Sequence, residues 1–137
     1  MRAAKIRNRL TAAVVMILMF VAATAASHRE QSRVEGTWTG ESICQVKSSP
    51  CHDEKAIYVV SKPDAAGKVT IDMGKIVEGK PETMGVLVFT YDRAAGTLVC
   101  DHRGVWKLKV MGDEMKGTLT LHDGTLYRRM RLKRAKS

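Results

Sequence analysis

Three short segments carry the side chains best suited to chemistry. They are Cys51-His52-Asp53-Glu54, Cys100-Asp101-His102 and His122-Asp123, which join sulfur, imidazole and carboxylate. Imidazole and thiolate together suit zinc or copper. His52, His102, His122 and Cys100 are therefore the candidate metal ligands, although their spacing matches no zinc motif. A disulfide is the competing use of the sulfurs. The chain has three cysteines, Cys44, Cys51 and Cys100, so one bridge leaves one thiol over. A Cys44–Cys51 bridge would staple a single loop. A Cys51–Cys100 bridge would fold that loop across the mouth of the fold as a lid. Cys44–Cys51 is the expected pair; its loop is short, which puts its stabilisation at the lower end of about 2–4 kcal/mol. Cys100 shares a strand face with Leu98 and is then a buried thiol. Cys100 and His102 alternate along a strand and form a dyad on paper, but bridged cysteines outnumber free nucleophilic ones in an oxidising compartment. The chain has no G-x-S-x-G, no H-E-x-x-H and no phosphate-cradling glycine loop. No enzymatic activity is expected from it.

These residues must be positioned by strands. After Ser27 there is no heptad and no long period of 3.6, only short alternating runs separated by turn residues. Eight strands are expected, at Gly36–Val46, Lys55–Lys62, Lys68–Val77, Glu82–Asp92, Thr97–Asp101, Val105–Met111, Met115–His122 and Thr125–Arg134. Glu78-Gly79-Lys80-Pro81 breaks the third from the fourth. Asp123-Gly124 is the strongest hairpin signal, with a type I′ turn expected. Connections this short force neighbouring strands antiparallel. Eight such strands close into an up-and-down barrel, which removes exposed edges; a two-sheet sandwich is the alternative. The sixth strand alternates Trp106, Leu108 and Val110 with Lys107 and Lys109. The third alternates Val69, Ile71 and Met73 with Thr70 and Asp72. Two strands are apolar on both faces, with Ile57 and Val59 against Tyr58 and Val60, and Val86 and Val88 against Leu87, Phe89 and Tyr91. Surface valines are the expected explanation. An up-and-down meander places alternate turns at one end. His52, His102, His122, all three cysteines and Asp53, Glu54, Asp101 and Asp123 then share one rim.

Of 137 residues, 23 are Lys or Arg and 14 are Asp or Glu, a net charge of +9. The charge is unevenly spread. Residues 1–26 hold four bases and no acid, and residues 128–137 hold six bases and no acid, which leaves 13 bases against 14 acids between them. A near-neutral body argues against a large nucleic-acid surface. Arg2–Arg9, the apolar run Leu10–Phe20 and the small residues Ala23-Thr24-Ala25 have the form of a secretory signal peptide. The rival is an uncleaved anchor, since Leu10–Ala26 is at the short limit for a span. A cut after Ala26 leaves 111 residues, enough for one modest core. The expected organisation is a signal peptide over 1–26, an arm over 27–35, a barrel over 36–134 and a basic end over 135–137. An exported protein, periplasmic or secreted, with no membrane span in the mature chain follows from that.

Gly36-Thr37-Trp38 opens the first strand. Leu126, Arg128, Met130 and Leu132 form the inward face of the last, opposite Tyr127, Arg129, Arg131 and Lys133. The last strand closes against the first, so Arg128 is expected across the Trp38 ring, where cation–π contact would satisfy it. Gly36, Trp38 and Arg128 together with the strand count resemble the calycins, the group that holds lipocalins and fatty-acid-binding proteins. The likeness is closest to small secreted barrels of Gram-negative bacteria that also begin with a G-x-W strand. It implies an eight-stranded barrel in which Trp38 and Arg128 close one end.

A binding module is the first functional expectation, holding a small apolar molecule in the barrel mouth against Tyr58, Leu87, Phe89, Tyr91, Trp106 and Leu119. The second is an envelope interaction barrel with a filled core, its basic tail drawn to anionic lipid or an acidic protein. Metal binding at the Cys/His rim is the third. No other cofactor is expected.

Overall fold

The computed structural model describes residues 33–136. The expected signal peptide and most of the arm lie outside these residues. Eight strands follow in order: β1 (Gly36–Cys44), β2 (Glu54–Val60), β3 (Lys68–Val77), β4 (Lys80–Asp92), β5 (Thr97–Asp101), β6 (Val105–Met111), β7 (Glu114–Thr120) and β8 (Leu126–Arg134). Each pairs antiparallel with the next, and β8 pairs back onto β1, so the sheet closes into an up-and-down barrel. The sandwich alternative is thereby excluded. Among the described residues no helix is long and apolar enough to cross a membrane.

The turns differ from expectation in an instructive way. The two-residue type I′ hairpin lies at Glu78-Gly79, where both residues have positive φ (50° and 77°) and Val77 pairs with Lys80. Pro81 then sits inside β4 instead of breaking it. At Asp123-Gly124 only the glycine has positive φ, at 89°. The Asp123 carboxylate accepts from the Thr125 N–H at 2.9 Å, and the Gly124 N–H donates to the Leu121 carbonyl at 2.9 Å. That makes a three-residue loop with glycine in the left-handed position.

Alternation fills the interior. Trp38, Tyr58, Val69, Ile71, Phe89, Leu98, Leu108, Met115 and Met130 are almost wholly buried. Leu108 and Val110 point in from β6, while Lys107 and Lys109 point out. Val59, Val86 and Val88 are exposed on the outer face, as surface valines. Two register slips perturb the alternation, in the β3–β4 pair at Met73/Gly74 and in the β7–β8 pair at Leu119/Thr120.

The barrel is locked at the end where the chain enters. Trp38 is fully buried, and its Nε1 donates to the Val34 carbonyl at 3.0 Å. Arg134, and not Arg128, lies over the indole, with its Cζ 4.3 Å from the ring centroid. Its Nη1 donates to the Glu35 carbonyl at 2.8 Å, its Nη2 to the Arg33 carbonyl and its Nε to Asp113 Oδ1 at 3.1 Å. The reason is register. Trp38 stands near the start of β1, so an antiparallel partner strand can bring to it only a residue near its own end. The β1–β8 ladder pairs Trp38 with Arg134 and Cys44 with Arg128. Arg128 is thus carried to the opposite end of the seam.

Candidate functional site

That opposite end is open. A cavity of about 540 Å³ occupies the mouth, within the range of small-molecule sites. Its apolar wall comes from Tyr58, Met73, Leu87, Trp106, Leu119 and Leu121, and its polar side from Ser42, Glu54 and Arg128. Four of the six expected ligand residues therefore line it: Tyr58, Leu87, Trp106 and Leu119. Phe89 and Tyr91 do not. They share the inward face of β4 with Leu87, but each step of two residues moves about 6.6 Å along the strand. Phe89 is already in the closed core, and Tyr91 pairs with Leu98 near the β4–β5 turn. Tyr127 lines the mouth although strict alternation points it outward. The slip in the β7–β8 register, where Leu119 pairs with Arg128 but Thr120 with Leu126, leaves Tyr127 as an extra residue and turns it.

The polar side is built around the Arg128 guanidinium, with His102 and Arg103 exposed at the cavity's edge. Arg128 Nη1 donates to Ser42 Oγ at 3.1 Å and to the Ser42 carbonyl at 3.4 Å, and lies 3.6 Å from Glu54 Oε2. The side chains of Arg128 and Glu54 are only 12% and 18% exposed. These polar contacts fall on Nη1, and the Tyr127 ring lies 5.9 Å from Cζ; among the described residues Nε and Nη2 have no hydrogen-bond partner. An arginine offers five N–H donors, and those on Nε and Nη2 stay open to whatever fills the mouth, since neither nitrogen is both buried and unpaired.

Comparison with protein-family models, curated proteins and solved structures finds no match for this chain.

The rim carries the expected disulfide. Cys44 and Cys51 are bonded, with Cα atoms 5.8 Å apart, and Asp53 Oδ1 accepts from the Cys44 N–H at 2.8 Å. The bridge and the aspartate together tie the β1–β2 loop back to the end of β1. Cys100 is free and half-buried against Trp106, its partner on β6. Burial pushes its thiol above the ordinary value, and Asp101 adds to the rise.

The metal expectation finds no support. Among the described residues no three His, Cys, Asp or Glu side chains come together as a metal-binding group. His122 Nε2 meets Asp101 Oδ1 at 2.8 Å in an exposed pair. His102 borders the cavity and offers its backbone carbonyl to Trp106 Nε1 at 3.1 Å. His52 stays exposed on its loop, and Cys100 faces inward. A shared end of the barrel does not bring side chains within coordination distance, because the rim is as wide as the barrel.

Burial also raises the Tyr58 phenol well above its ordinary value; Arg128 lowers it and Glu54 raises it further. The folded state thus keeps a proton that the unfolded chain gives up near pH 10. Above that pH the unfolded state binds fewer protons than the folded one, so stability falls as pH rises. Below pH 10 this residue contributes no pH dependence. Urea midpoints between pH 8 and pH 11 are expected to drop faster for the native protein than for Tyr58→Phe, and parallel curves would contradict the assignment.

Proposed function

We propose that the protein is an exported, non-enzymatic binding module that takes an amphipathic molecule with a negatively charged head group into the mouth of its barrel. The observation that carries this reading is Arg128, a guanidinium held by Ser42 and Glu54 on the polar side of a largely apolar cavity, with donors left over. An oxygen-rich anionic head would meet those donors by charge-assisted hydrogen bonds. The apolar wall from Tyr58 to Leu121 would cover a hydrocarbon body. The closed eight-stranded barrel, the Gly36-Thr37-Trp38 opening and an arginine stacked on the tryptophan resemble the calycins, with Arg134 in the closing role. In that resemblance, too, the open end is where a ligand enters. The Cys44–Cys51 bridge accords with an oxidising compartment.

A medium-chain fatty carboxylate is the probe. Dodecanoate is expected to change Trp106 emission and to bind at least about tenfold more tightly than dodecanol, the worth of one charge-assisted hydrogen bond. Arg128→Gln is expected to erase that preference while dodecanol binding is kept. Equal affinity for the two probes in the native protein would refute a charge-reading role for Arg128. Failure of both to bind would favour the interaction barrel that uses only its outer surface.

A further inference from the structure

Summed charge along the chain hides a sorting in space. The outward positions of β6, β7 and β8 bring together Lys107, Lys109, Lys116, Arg129 and Arg131, all exposed. They surround a groove of about 530 Å³ on the outer wall, which Thr97, Val99 and Thr118 complete. The groove shares no residue with the barrel mouth.

The ladder fixes how these charges stand. Lys109 pairs directly with Lys116, and Lys116 directly with Arg131. Three cations in a row across three adjacent strands, about 4.8 Å apart, repel one another. The next row along runs Lys107, Thr118 and Arg129. By register the closest carboxylate is Glu41, opposite Arg131 on β1. Yet the ion pairs among the described residues are His122–Asp101, Arg128–Glu54 and Arg134–Asp113, and none involves the five. Like charges set opposite one another destabilise a sheet unless something neutralises them.

We propose that this wall is a binding site for a short linear polyanion, of which oligophosphate is the simplest. Closely spaced charged oxygens would lie along the cation rows. Thr97 and Thr118 would add hydroxyl donors. The concavity favours a chain over a membrane, because a flat leaflet touches the rim of a groove and leaves its floor unused.

Isothermal titration with inorganic tripolyphosphate tests this on the purified protein. Binding is expected, weakening as NaCl rises from 50 to 300 mM. Lys116→Glu is expected to weaken it at least about tenfold, since it removes a central charge-assisted contact and adds a repulsive one. Lys62→Glu makes the same change in net charge in the exposed turn after β2 and is expected to shift affinity less than about twofold. Lys116→Glu should also raise the thermal midpoint, because it places a carboxylate between two cations; that readout shows the variant is folded. Arg129→Gln provides a milder second variant with the same expected direction of weakening. Absence of tripolyphosphate binding would overturn the proposal, as would equal losses in Lys116→Glu and Lys62→Glu. Binding to phosphatidylglycerol vesicles without binding to tripolyphosphate would overturn it in favour of a planar surface.

Discussion

Trp38→Ala is expected to cost about 3–5 kcal/mol of folding stability, the usual range for truncating a fully buried tryptophan. Domains of this size are stable by only about 5–15 kcal/mol, so the variant should unfold at a much lower urea concentration. Three losses coincide at this position. The fully buried indole fills the closed end of the barrel. Its Nε1 holds the Val34 carbonyl, and with it the segment that leads into β1. Its face carries the Arg134 guanidinium, which is fixed there by the Glu35 and Arg33 carbonyls and by Asp113. Removing the ring leaves that cation over a cavity. Arg134→Met keeps the ring and loses the charge, and is expected to cost less, about 2 kcal/mol. Arg128→Gln should cost less again, because Arg128 faces the open mouth. The order Trp38, Arg134, Arg128 in urea midpoints is the measurement. An Arg128 variant less stable than the Arg134 one would contradict the register-based assignment of the seam.

That ordering marks where the sequence stops being legible. Period-two alternation and turn chemistry are local, and they were enough to find all eight strands to within a few residues. Closure followed from the strand number and the short connections. By residue type Arg128 suits Trp38, because it is the arginine that interrupts an apolar face. Direction decides otherwise: antiparallel pairing joins the beginning of β1 to the end of β8, and Arg134 is the residue that arrives there. This inference was open to the sequence, since the direction of the strands was already implied. Other features were not open to it. The extra residue that turns Tyr127 into the mouth depends on a register slip that no composition signals. Phe89 and Leu87 share a face, and only their depth along the tilted strand separates core from cavity. The cationic wall needs three registers at once. Lys109 and Lys116 lie in the near-neutral stretch and Arg131 in the basic stretch 128–137, yet the three are adjacent on the sheet. The Glu78-Gly79 turn was obscured by Pro81, which β4 accommodates beside Ile76.

Gly40→Ala is expected to cost at least about 3 kcal/mol, at or beyond the upper end of ordinary overpacking. A β-carbon at Gly40 would stand 2.0 Å from the Arg131 carbonyl oxygen and 2.8 Å from the Leu132 Cα. Those atoms are backbone, so no change of rotamer relieves the clash; the two strands must separate. A glycine inside a strand commonly marks such a close approach of another backbone. Here the approaching backbone is β8, and the contact is at the seam itself, where Gly40 pairs with Leu132. Separation there would expose two strand edges, which invites pairing between molecules. Gly85→Ala is the matched comparison. It also sits in a strand, but nothing lies within 4 Å of its β-carbon position, so its effect should stay within about 0.5 kcal/mol. Urea unfolding with size-exclusion chromatography distinguishes the two, and equal stability of both variants with a monomeric Gly40→Ala would refute the close seam. The seam also ties the two ends of the barrel together. Two residues on from Gly40, Ser42 pairs with Met130, and two further on Cys44 pairs with Arg128. Loosening at Gly40 therefore displaces Ser42 from Arg128, and dodecanoate binding should weaken in Gly40→Ala even where enough folded protein remains to measure it.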